Sequence, residues 1–217
     1  MPELRAPAAH AEFQYASPDH QASTAVAGMW LFLASEILFF GGLIYVWLVN
    51  QWGHPEGFRR GAEHANLLIG SVNTLVLATS SCVYAWGVRE ARQGHGQRTW
   101  FACLATAALG LVFIALKVQE WHLDILDGLL PGTGFRFRGP DWGGMALFQS
   151  FYWAGTGLHI VHLTIGVGLV LWIGWRARRG DFTRRYTTPV EVTGLYWSFV
   201  DTVWMALYPL IYVVGRV

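Results

Sequence analysis

Glu36 lies in the middle of an apolar run, Ala25–Val49, in which Ser35 is its only strongly polar companion. A run of 25 residues rises roughly 37 Å as a helix, enough to cross a hydrocarbon core of about 30 Å. The carboxyl then sits near the bilayer midplane, where a charged acid costs about 2.5–3.5 kcal/mol on insertion scales. Two chemistries fit such a residue. One is a neutral, hydrogen-bonded acid that ties two helices together. The other is a proton- or lipid-linked site facing the protein interior, the default hypothesis for an intramembrane acid.

Three further groups share that setting. Lys117 and Glu120 are three apart, placed to pair on a helix surface at its outer end, with the lysine free to snorkel towards the interface. Asp201 is a second deep acid, with Ser198 on the same face, and reads as a hydrogen-bond hub. His159 and His162 share one helix face and are of the type that ligates metal or haem. Such a site wants further histidines at the same depth, and the other six fall in the tail, loops or helix ends. Interhelical hydrogen bonding is therefore the expectation for both, with no metal site. Cys82 and Cys103 have no metal-site spacing and read as small buried residues.

The elements that must position these groups are membrane helices. Hydrophobic residues make up 53% of the chain and charged residues 13%, against about 25% charged in soluble domains. A net charge of +1 leaves no basic surface for nucleic acid. The apolar runs predict an all-α membrane bundle of five crossings, at about 25–49, 66–88, 99–121, 145–175 and 189–214. Residues 1–24, with Pro2, Pro7 and Pro18, read as a polar tail without a cleavable signal peptide, and 25–217 as one membrane domain. Nine arginines fall on one side of this arrangement and five on the other. The positive-inside rule then puts the amino terminus in the cytoplasm and the carboxyl terminus outside.

Local signals refine the picture. Thr188, Pro189 and Glu191 have the form of a capping box with proline in the first turn. Small-residue stripes suit helix contacts in lipid: Gly70, Thr74, Ala78, Ser81 and Ala85; Ala102, Thr106 and Gly110; Gly155, His159, His162 and Gly166.

Five stretches in order resemble one family. Gly28–Gly42, bearing Glu36, is similar to the acid-bearing helix of subunit III of the haem–copper oxidases. Val72-Asn73-Thr74, Lys117-Val118-Gln119-Glu120-Trp121, Thr156–His162 and Tyr196–Trp204 resemble the motifs that follow, so the likeness spans about residues 25–214. The chain lacks the first two helices of the longest members, as short bacterial members do. Ser198 stands where the family usually has histidine, and a second usual histidine is replaced within Tyr186-Thr187-Thr188.

The resemblance implies an accessory subunit of a bacterial plasma-membrane oxidase, with no redox centre of its own. Haem and copper would sit in partner subunits I and II, and the reaction would be oxygen reduction coupled to proton pumping. It implies bound phospholipid, support for proton uptake, Glu36 as a lipid-facing or cleft-facing acid, and Arg176 with Arg179 as lipid-phosphate contacts. Asn73, His159, His162, Glu191 and Asp201 are expected to form a structural polar network. A subunit of a quinol oxidase or nitric oxide reductase would share these motifs; a stand-alone proton channel is a different class, and no inverted repeat favours it.

Overall fold

The computed structural model describes residues 15–132, 135–184 and 186–216. Most of the tail, with Arg5 and His10, and the loop residue Arg185 lie outside the described residues. Six α-helices account for nearly all the rest: α1 Pro18–Gly53, α2 Pro55–His64, α3 Leu67–Arg92, α4 Gly96–Leu126, α5 Trp142–Arg179 and α6 Thr188–Tyr212, followed by a 3₁₀ turn, Val214–Arg216.

The helix ends follow from local chemistry. Ser17 caps α1 by accepting from the His20 amide at 3.1 Å, with Pro18 in the first turn. This starts the helix seven residues before the apolar run, so the end of the polar tail is helical. Pro55 opens α2, and Asn66 caps α3 by accepting from the Ile69 amide at 3.1 Å. Gly180 closes α5 in a left-handed conformation, φ 81°, where glycine carries no Cβ penalty. The capping box at Thr188 is not formed. Thr187 is the cap residue and makes no side-chain cap bond. Glu191 instead accepts from the Thr187 hydroxyl and from Arg92, both at 2.9 Å.

Helices α3, α4, α5 and α6 form a ring in which each packs on the next, and α1 lies along the α5/α6 face. Small residues let the backbones approach. A Cβ on Gly110 would meet Val167 and Trp197, and one on Gly174 would meet Cys103 and Trp100, each at under 3.1 Å. Trp197 and Trp204 fill the centre, and their indole N–H groups donate to Ser80 at 3.1 Å and Thr74 at 3.0 Å. The small-residue stripe of α4 is buried; of the α3 stripe only Gly70 is buried, and Ala85 is exposed. Cys103 is buried, whereas Cys82 is exposed on α3, contrary to its expected burial.

Four helices, α1, α3, α4 and α5, are long and apolar enough to cross a membrane. The outward face of α1 carries Leu31, Ile37, Leu38, Tyr45 and Trp52, all largely exposed. Such an uninterrupted apolar exterior suits lipid rather than water.

The short helix α2 has no counterpart among the expected segments. It is polar, with Glu56, Arg59, Arg60 and Glu63, but Phe58 and Ala62 on its inner face are buried against the bundle. Arg216 donates to the Ala62 and Ala65 carbonyls, satisfying orphan acceptors at the end of α2.

Candidate functional site

Two polar clusters lie within the bundle. In the first, α1 brings Glu36 to α5, where Glu36 Oε2 is 3.2 Å from His162 Nε2; the side chains are 18% and 16% exposed. The spacing that puts His162 one turn beyond Leu158 also sets its Nδ1 2.8 Å from the Leu158 carbonyl oxygen. Phe40, one turn along α1, packs edge-on to the imidazole with centroids 5.3 Å apart. The Tyr196 hydroxyl donates to the His162 carbonyl oxygen at 3.0 Å.

The second cluster is closed to solvent. Lys117 Nζ donates to Glu120 Oε2 at 2.9 Å, to the Tyr152 hydroxyl at 3.1 Å and to the Tyr212 hydroxyl at 2.8 Å. Tyr212 in turn donates to both Glu120 oxygens, at 2.8 and 2.9 Å. The ammonium has three hydrogens and three acceptors, so it is fully satisfied. Lys117 is 0% exposed and Glu120 3%. The expected pair forms, but inside the bundle rather than on the helix surface, and the lysine does not snorkel. The lysine points inward because Tyr152 of α5 and Tyr212 of α6 supply oxygens there, and their rings and that of Trp204 flank the cation. Asp124, one further turn along α4, also interacts with the Tyr152 hydroxyl.

Between the clusters lies His159, fully buried, its ring edge-on to Phe113 and tilted against Trp204. Neither ring nitrogen has a hydrogen-bond partner among the described residues, and neither does either side-chain polar atom of Asn73. The interhelical hydrogen bond expected of His159 is thus absent there, while His162 makes one. The rings of Phe113 and Trp204 are packed against its imidazole. Asp201 bonds to Ser81 on α3 rather than to Ser198, which is exposed, and its second oxygen has no partner among the described residues. It ties α6 to α3 as one bond, not as a hub.

A third feature marks the end of the bundle that holds α2. Asp141, at φ 50°, accepts from the Gly57 amide at 3.0 Å and the Gly144 amide at 3.2 Å, and lies 3.1 Å from His54 Nδ1. Burial works against its charge, but the Gly57 amide, the His54 ring and the Gly144 amide outweigh it and hold the carboxyl below its ordinary range. Hydrogen bonds from Arg59 and Arg60 similarly hold Glu56 low.

A family model described as cytochrome c oxidase subunit III matches residues 11–216. The chain belongs to the cytochrome c oxidase subunit III family. It is 34% identical over 194 residues to cytochrome c oxidase subunit 3 of Thermostichus vulcanus, covering 88% of each chain. It is 26% identical over 203 residues to a probable quinol oxidase subunit 3 of Staphylococcus haemolyticus, over 93% of this chain and 94% of that one. It is also 25% identical over 194 residues to a heme-copper oxidase subunit I+III of Aeropyrum pernix, over 87% of this chain and 22% of that one.

As a subunit III relative with long apolar helices, the chain is a multi-pass membrane protein. Of the residues singled out in the sequence, Glu36 and His162 meet in one cluster and Lys117 and Glu120 in the other, whereas Asn73, His159 and Asp201 belong to neither. Arg176 lies at the opposite end of α5 from Asp141, 3.0 Å from Asp181 and against the rings of Trp172 and Phe182; the Arg179 guanidinium stacks 3.5 Å over Trp175. Sequence reasoning missed Tyr152, Tyr212 and Asp124, and took Ser81 as a packing residue rather than as the partner of Asp201. The spacing of Lys117, Glu120 and Asp124, three and then four residues apart, carries a usable signal: three charges on one face of a membrane helix require partners from its neighbours.

Proposed function

We propose that the chain is the accessory subunit III of a haem–copper terminal oxidase in a bacterial plasma membrane. It would pack against subunit I and support oxygen reduction coupled to proton pumping. The observation that carries this reading is the family match over nearly the whole chain, with the motif residues Glu36, Lys117, Glu120 and His162 directed into the bundle. A relative whose name joins subunits I and III in one chain supports subunit I as the partner. Haem and copper belong to subunits I and II in this reading. Among the described residues no three of His, Cys, Asp and Glu come together as a metal would need.

The bundle crosses five times in this account, because α6 sits within the ring between α3 and α5 and is long enough to span. The arginine bias places the amino terminus inside and Arg176 and Arg179 at the cytoplasmic surface. There guanidinium forks suit phospholipid phosphate, and the tryptophans beneath them suit the interface. An apolar groove of about 400 Å³ between α1 and α6 has the character to take an acyl chain. The electron donor is either cytochrome c or quinol; both kinds of oxidase occur among the relatives' names, and the donor contact belongs to other subunits.

A tagged copy purified in mild detergent should bring down a haem-bearing subunit I and a subunit II. The chain separated from them should show no haem absorbance. Recovery of the chain alone from membranes that contain an active oxidase would contradict the proposal.

A further inference from the structure

Lys117 is the single lysine among the fifteen lysines and arginines of this chain, and it is buried with its counter-ion. A buried ion pair repays its desolvation only where its geometry and remaining hydrogen bonds are complete, so the parts of the chain that enclose this one matter to it. From the sides it is held by Glu120 of its own helix α4, Tyr152 of α5 and Tyr212 of α6. The nearest end of the bundle is the one that carries α2, since Tyr212 is the last residue of α6.

Both tyrosines are backed by segments that α2 touches. Phe58 of α2 packs edge-on to Phe148 with centroids 5.7 Å apart, and Tyr152 lies one turn from Phe148 on the same face of α5. The 3₁₀ turn that follows Tyr212 packs on α2, where Arg216 Nε and Nη2 donate to the Ala62 carbonyl oxygen at 3.0 and 2.8 Å, and Nη2 also donates to that of Ala65. On the α3 side, the Tyr212 ring fills the space that a Cβ on Gly70 would occupy.

The attachment of α2 is of a kind that can release as a unit. Asp141 fastens one end through the Gly57 amide at 3.0 Å, and Arg216 fastens the other. Between them the contact face is Gly57, Phe58, Gly61 and Ala62, all buried. The opposite face carries Glu56, Arg59, Arg60 and Glu63, whose ion pairs lie within α2 itself. Lifting the helix therefore leaves those charges paired and costs the Phe58 contacts and the two fastenings.

We propose that α2 and the Val214–Arg216 turn form a lid on this end of the bundle, fastened by Arg216, and that lifting the lid lets water reach the Lys117 cluster.

Two readouts on the purified complex test this. Hydrogen exchange of the α2 amides reports whether the lid is on. Reductive methylation of Lys117 with formaldehyde and borane, located by peptide mass, reports whether the cluster is reached; a single lysine makes the assignment unambiguous. In the parent, Lys117 should stay unmodified. Arg216→Leu should speed both by at least about tenfold, since it removes hydrogen bonds from a charged donor. If that chain is not retained in the complex, Gly57→Ala serves instead, its Cβ falling 2.5 Å from α5 backbone. Arg216→Lys, which keeps a charged donor, should lie between parent and Arg216→Leu. Gly180→Ala, which strains the opposite end of α5 at φ 81°, should match the parent in both readouts. Faster α2 exchange with Lys117 still unmodified, α2 exchange no faster than in the parent, or equal methylation in Gly180→Ala would each overturn the lid. Neither readout is oxidase turnover, so failure of the lid and failure of the proposed accessory role are separable.

Discussion

Lys117→Met is expected to be the most damaging single substitution in this chain, destabilising the folded bundle by about 3–5 kcal/mol. Methionine fills the volume but leaves Glu120 buried without its cation, and leaves the Tyr152 hydroxyl without its Lys117 donor. One remaining donor, Tyr212, cannot replace the lost charge. The subunit should unfold at markedly lower temperature in detergent and be lost from the complex. Adding Glu120→Gln should restore most of the loss, because a neutral amide can still accept from Tyr212, and a network without charges has less to compensate. The double-mutant cycle, read by thermal unfolding of the purified complex, separates this from simple loss of packing. A single mutant as stable as the parent would show that the lysine is not held as the contacts describe.

Gly57→Val should free the α2 platform. A Cβ at Gly57 would lie 2.5 Å from the Gly144 carbonyl carbon and the Met145 amide nitrogen, both backbone atoms that cannot rotate away. Overpacking of this kind costs about 1–3 kcal/mol. The displaced helix also loses the Gly57 amide bond to Asp141. Local opening should rise about tenfold for each 1.4 kcal/mol. Tryptic cleavage after Arg59 or Arg60 in the intact membrane complex should accelerate about ten- to a hundredfold. Gly143→Ala, where a Cβ meets nothing within 4 Å, should cleave like the parent.

The sequence carried the long helices well, since apolar runs of this length have few other uses, and it carried the depth of Glu36 and Asp201 but not that of Glu120 or Asp124. It did not carry α2, whose ten residues are polar overall and are held by Phe58, which packs on Trp47 of α1 and Phe148 of α5. Nor did it distinguish a snorkelling Lys117 from a buried one. That choice depends on two tyrosine hydroxyls 35 and 95 residues away. His159 shows the opposite failure: a histidine on a helix face suggests a partner, yet the facing positions are Phe113 and Trp204. Glu36 was legible as an acid in lipid, but its partner depends on how α1 crosses α5.

The accessory role itself is tested most directly by comparing the oxidase with and without this chain, the haem-bearing subunits being otherwise intact. Initial oxygen reduction should stay near that of the full complex, while the protons pumped per electron and the number of turnovers before inactivation fall, and both should recover when the chain is added back. Abolished initial oxygen reduction in a complex that keeps its haem and copper would contradict the account, because it would place this chain on the catalytic route.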